Sequence, residues 1–149
     1  MKIHLLNGFF GAIILAAGLT ALAEENAIKP LNKKEYDSHI SNFDKGRDCV
    51  FSRTIGNWAM LDNQRLILYA PTKSKPYYVK LSIRSHELKY VNAIAVHSKF
   101  DNRFCPYGGN ALFIDGSRYT IQAIKKIDPD MAKQLIAHNK KEDKKGAKK

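Results

Sequence analysis

The sequence predicts a mainly β domain, with a short helix before the strands and a second helix after them. Three observations carry that expectation. From Pro76 to Ile83 the chain alternates: Tyr77, Val79, Leu81 and Ile83 face one way, and Tyr78, Lys80 and Ser82 the other, the two-residue repeat of a half-buried strand. Asp115-Gly116 stands between two β-rich runs, where glycine accepts the positive φ that a tight hairpin turn demands. Asp128 and Pro129 then open a tract in which Met131 and Leu135 share a helical stripe. The expected architecture is a small antiparallel sheet or barrel of about six to seven strands, with one disulfide.

The chain opens on MKIHLLNGFFGAIILAAGLTALAEEN. Lys2 supplies a short positive region, an apolar run extends from Leu5 to Leu22, and Ala21-Leu22-Ala23 places small residues where signal peptidase needs them. Residues 1–23 therefore read as a secretory signal peptide cleaved after Ala23. Asn7, Gly8, Gly11, Gly18 and Thr20 thin the apolar run, which argues against a retained membrane anchor. The expected product is soluble and periplasmic, and its 126 of 149 residues suit one domain. A chain of that length buries roughly two-thirds of its unfolded surface, enough for a core.

Segment 24–48 begins as a polar approach and contains NKKEYDSHISNF, in which Tyr36, Ile40 and Phe43 fall at i, i+4 and i+7. Asn32 and Glu35 have the form of a capping box, so a short helix is expected. The β domain is expected over 49–127. Its candidate strands are Cys49 to Ile55, Trp58 to Leu61, Arg65 to Ala70, Pro76 to Ile83, Ala93 to Ser98, Ala111 to Asp115 and Arg118 to Ile124. RLILYA is apolar on both faces after Arg65, so the sheet must roll into a barrel or be covered by a helix. Asp62-Asn63 and Pro71 to Pro76 supply the other turns. A helix is expected over 128–139. The tail 140–149 sets six lysines against Glu142 and Asp143, with no large apolar residue, and is expected to be disordered.

The chain has two cysteines, Cys49 and Cys105, and three roles compete for the one in RFCPYGGN: nucleophile, metal ligand or half of a bridge. A redox catalyst would set its cysteines two residues apart, whereas these are 56 apart. A metal site needs more ligands than His97, the only histidine close in sequence, can supply. A cysteine nucleophile needs a base, and neither His86 nor His97 sits in a recognisable motif. Exported chains with an even cysteine count pair them, so a Cys49–Cys105 bridge is expected.

From CVFSRTIGNWAMLDNQRLILYAP onward, the chain resembles a family of small exported bacterial proteins catalogued as a domain of unknown function. The shared features are the Trp58-x-x-Leu61-Asp62 turn, the Leu66 to Pro71 and Tyr77 to Leu81 strands, and the Gly116-Ser117-Arg118 approach to the last strand. The likeness covers about Cys49 to Ile127, and no motif in it is catalytic. Its members often carry further cysteines where this chain has Ser85 and Tyr119. That pattern implies a separate second pair in relatives and leaves Cys49 and Cys105 as partners.

The formal charge of +11, or +10 once Lys2 leaves with the leader, favours anionic partners. TKSKPYYVK interleaves lysines with tyrosines, as small barrels do to hold single-stranded nucleic acid or polysaccharide. The candidate binding surface is Lys73, Lys75, Tyr78, Lys80, Arg84 and Arg103; a solvated hairpin with Tyr77 in the core is the plain alternative. The lysine tail suits an electrostatic tether to the inner membrane. The sequence offers no cluster of acid, base and nucleophile, no glycine-rich phosphate loop and no metal spacing, so no catalytic residue, cofactor, metal or small-molecule substrate is assigned. The expected function is a non-catalytic periplasmic module that binds another envelope protein as an accessory to a larger envelope or secretion assembly. The alternatives are an electrostatic binder of an anionic surface or polymer, and an envelope hydrolase using Asp62 or Asp101 with His86 or His97.

Overall fold

A computed structural model describes residues 28–99 and 102–146. The expected leader and its cleavage point lie outside the described residues, as does Asp101. Helix α1 (Lys33–Phe43) is followed by strands β1 (Val50–Phe51), β2 (Asn57–Met60), β3 (Arg65–Tyr69), β4 (Pro76–Leu81), β5 (Ala95–His97), β6 (Arg103–Phe104), β7 (Ala111–Ile114) and β8 (Ser117–Lys126), then helix α2 (Pro129–Gly146). The fold is mainly β, with a helix on either side of the strands in sequence.

The local signals act as the residues dictate. Asn32 caps α1 through its side chain on the Glu35 N–H, 2.9 Å, and Glu35 reaches back to the Asn32 N–H, 3.1 Å. At α2, Asp128 accepts from the Asp130 N–H at 2.9 Å and Pro129 fills the first helical position. The β7–β8 turn holds Asp115 and Gly116 at φ 48° and 77°, the pair of left-handed residues that a two-residue hairpin needs.

Six strands form one antiparallel sheet in the order β2-β3-β4-β8-β7-β5, curled into a half-barrel, and β1 with β6 makes a separate two-stranded ribbon. The curl has an identifiable origin in β8. Its first part, Ser117 to Thr120, pairs with β7, and its later part, Ile121 to Lys126, pairs with β4. Between them the register slips: Lys80 faces Ala123 while Leu81 faces Ile121, so Gln122 is an extra residue. This bulge reverses the side-chain parity, and Tyr119, Ile121 and Ile124 all enter the same core, which an uninterrupted two-residue repeat forbids.

The centre of the sheet, β3 and β4, is buried on both faces. Inside the curl lie Leu66, Leu68, Val79, Leu81, Leu112, Ile114 and Ile124, with Val50 and Phe104 of the ribbon packed among them. On the outer face Ile67 and Tyr78 meet Ile40 and Phe43 of α1 and Ala132 and Leu135 of α2. Both remedies that RLILYA called for are therefore present. Gly46 makes the passage from α1 to β1 possible: it lies so close to β8 that a Cβ there would collide with the Ile124 carbonyl oxygen and stand 2.7 Å from Lys125 Cβ. The Asp48 N–H donates to Ile124 O at 2.9 Å, and Ile124 N–H to Gly46 O at 3.2 Å.

Three expectations are corrected. Cys49 to Ile55 is not one strand: β1 ends at Phe51, Ser52 N–H makes a last in-register bond to Asn102 O at 2.7 Å, and the chain then turns through a 3-10 segment, Ser52–Thr54. β4 stops at Leu81, which leaves Ile83 exposed where alternation placed it in the core. The basic tail continues as helix to Gly146, because its lysines and Glu142 are good helix formers, Glu142 pairs with Lys145 at 2.9 Å, and Lys144 and Lys145 sit at the negative end of the helix dipole.

Candidate functional site

The Cys49–Cys105 disulfide is formed, with Cα atoms 4.4 Å apart. Val50 pairs with Phe104 and Phe51 with Arg103, so Cys49 lies directly opposite Cys105 in the same register. That separation matches a non-hydrogen-bonded pair of an antiparallel ladder, where side chains approach most closely. The bridge thus clamps a ribbon too short to hold itself together. Asn110 ties the following loop: its amide donates to Cys105 O and Tyr107 O at 3.0 and 2.9 Å, and its oxygen accepts from Lys99 N–H at 3.0 Å. Gly108 and Gly109, each at φ 78°, supply the left-handed turn between them. Phe51 and Tyr107 are each 58% exposed on this rigid ribbon, and the Arg103 guanidinium lies 5.9 Å from the Phe51 ring.

A second feature lies between the two outer strands of the curled sheet. Among the described residues β2 pairs with β3 alone, and β5 with β7 alone. The approaches to these two edges enclose a slot of about 230 Å³, lined by Ile55, Gly56, Asn57 and Trp58 from one side and Asn92, Ala93, Ile94 and Val96 from the other. Ile55, Trp58, Ile94 and Val96 are partly buried against the inner core. Asn57 Oδ1 accepts from the Trp58 N–H at 2.7 Å, which caps one donor of the β2 edge.

The third feature is a polar network beneath the helices. Asp44, at the end of α1, accepts from Tyr78 Oη at 2.5 Å, Lys80 Nζ at 2.7 Å and Arg65 Nη2 at 3.3 Å. Arg65 also donates to Tyr78 Oη at 2.9 Å and to Asp62 at 3.0 Å. Burial pushes Asp44 up, but the three donors outweigh it and hold its carboxyl below the usual range. Burial, and then the hydrogen bond to Asp44, push the Tyr78 hydroxyl well above its ordinary value. Groups driven apart in this way are poorly matched to proton transfer near neutrality. Beside the network is a cavity of about 380 Å³ lined by Asp62, Asn63, Arg65, Arg84, Asn139 and Asp143.

The expected basic surface is not assembled. Tyr78 is fully buried, and Lys80 is turned onto Asp44, because α1 and α2 cover the sheet face that alternation left for solvent. Lys73 and Lys75 are exposed before β4, and Arg84 lies beyond its far end, about 20 Å away along the strand. Arg103 is on the ribbon. Of the residues weighed for hydrolysis, Asp62 is held by Arg65 and by the Gln64 N–H at 2.7 Å, as a turn former is. His97 stands on edge strand β5 with its ring against Phe113. Among the described residues no group of histidine, cysteine and carboxylate side chains is placed to hold a metal, and no helix is long and apolar enough to cross a membrane. The slot escaped sequence reasoning because its walls come from segments over thirty residues apart that hold no shared motif. Ser85 and Tyr119 do come together, both bonding Glu87 Oε2, at 3.1 and 2.7 Å.

These features define a mainly β, disulfide-clamped protein built on a curled antiparallel sheet. The chain belongs to the family of unknown function DUF6491, whose model matches residues 1–143. No curated protein and no solved structure matches the chain. The disulfide points to an exported or otherwise oxidising compartment.

Proposed function

We propose that this protein is a non-catalytic periplasmic module that binds another component of the cell envelope, as an accessory to a larger assembly. The observation that carries the reading is the slot between the two outer strands, where Trp58, Ile55, Ile94 and Val96 share the lining with Asn57 and Asn92 and Trp58 is partly buried. Tryptophan in a concave recess that combines apolar side chains with a few polar groups is a common composition of a recognition site. The exposed Phe51 and Tyr107 on the clamped ribbon extend the same supply of rigid aromatic contact. Export is supported by the leader pattern of residues 1–23 and by the bridge. A photo-activated cross-linking residue at Asn57 or Asn92, two exposed positions lining the slot, is expected to trap one discrete envelope protein in intact cells. The same probe at Lys34, exposed on α1 over the outer face of the sheet, is expected to trap none. Equal yields from all three positions, or no adduct from the slot, would refute the reading.

A further inference from the structure

We propose that the outward stripe of α2 is a docking surface for anionic phospholipid headgroups. The helix continues to Gly146, so its lysines form a fixed array and not a loose tail. At about 100° per residue, the buried Ala132, Leu135 and His138 mark the side facing the sheet, and Lys133, Lys140 and Lys144 fall within about 40° of one another on the opposite side. Lys141 flanks them. The acidic residues do not interrupt the stripe: Asp143 lines the cavity beside Arg65, and Glu142 is engaged by Lys145. Asp130 offsets Lys133 at 3.0 Å, but no carboxylate among the described residues pairs with Lys140, Lys141 or Lys144. Lys148 and Lys149 follow in sequence.

A second observation selects a membrane over a soluble polyanion. His138 Nδ1–H donates to Leu31 O at 2.7 Å, and Tyr36 stacks on the His138 ring at 4.3 Å. The chain coming from the apolar leader is therefore fastened to α2 within two turns of Lys140–Lys144. Leu22, the end of the apolar run, is nine residues before Leu31, a reach of at most about 30 Å. The lysine stripe is thus set at the point where the exported chain leaves the bilayer, and it holds the domain there after the leader is gone. Each lysine near a charged bilayer contributes about a fivefold gain in partitioning, weakened by salt.

The test uses the oxidised chain from Glu24, which contains every described residue, and vesicles of phosphatidylglycerol with phosphatidylethanolamine or of phosphatidylcholine alone. Binding is expected to the anionic vesicles only and to weaken steeply as salt rises. Replacing Lys140, Lys141 and Lys144 together with Gln should lower partitioning about 100-fold, and replacing them with Arg should preserve it. A matched triple at Lys34, Lys73 and Lys75 should bind nearly as the parent does. Equal binding to neutral vesicles, equal loss in both triples, or binding of single-stranded DNA in place of vesicles would each overturn the proposal.

Discussion

Asp44→Asn tests the polar network most directly. The substitution keeps the side chain's shape and one oxygen, but it removes the negative charge that Lys80 and Arg65 share. Their side chains are only 15% and 24% exposed, and Asp44 itself is 20% exposed. Lys80 would be left with no counter-ion, while Arg65 keeps Asp62. Breaking a fully buried pair costs about 3–5 kcal/mol, and the residual water access here lowers the expected loss to about 2–3 kcal/mol. For a domain of this size that is a fall in Tm of about 6–15 °C. The assay is urea and thermal unfolding with the disulfide intact. Because native Asp44 titrates below its unfolded value of about 4, its contribution is complete above that pH and disappears as pH falls through the native value. The variant's stability curve should therefore converge on the parent's in acid. Adding Lys80→Met to Asp44→Asn should recover about 1 kcal/mol, since it removes the stranded charge. A loss at pH 7 below about 0.5 kcal/mol, or a gap that persists undiminished in strong acid, would refute the reasoning.

Two further outcomes follow from the backbone. Gly46→Ala should destabilise by about 1–3 kcal/mol in urea unfolding, because the new methyl cannot share space with the Ile124 carbonyl; a neutral substitution would mean that the α1–β1 passage is not tightly packed. Replacing both cysteines with Ser should lower stability by about 4 kcal/mol on loop-entropy grounds, and hydrogen exchange should quicken at Val50 and Phe104 well before Ile67. Uniform loosening of ribbon and sheet would contradict their separation.

Legibility in the sequence tracks the range of the interaction. The capping box at Asn32, the Asp115-Gly116 turn, the Asp128-Pro129 helix start and the alternation in β4 depend on neighbouring residues, and each took the form its composition demands. The β1–β6 ribbon was half legible: its cysteine pair could be expected, but Arg103–Phe104 has no alternation to mark it as a strand. Tyr78 shows why the site was hardest. Its position on the second face of β4 follows from alternation, whereas its burial depends on α1 and α2, which lie more than thirty residues away on either side. The extra residue at Gln122 was hidden for a related reason, since a bulge exists only relative to a partner strand. The lysine tract misled through composition: charge excludes a core but does not exclude a helix.

The strand order β2-β3-β4-β8-β7-β5 imposes a timetable on the molecule. A chain that emerges through a membrane with its amino end leading can assemble the first three strands as they appear, but β5 then has no seat, because the hairpin that must sit between it and β4 has yet to arrive. Both neighbours of that gap belong to the segment spanned by the two cysteines, so the covalent ring can be shut around an unfinished sheet. Completion waits for the final strand, and the sheet has most open edge to guard in the interval before residue 126 is in place.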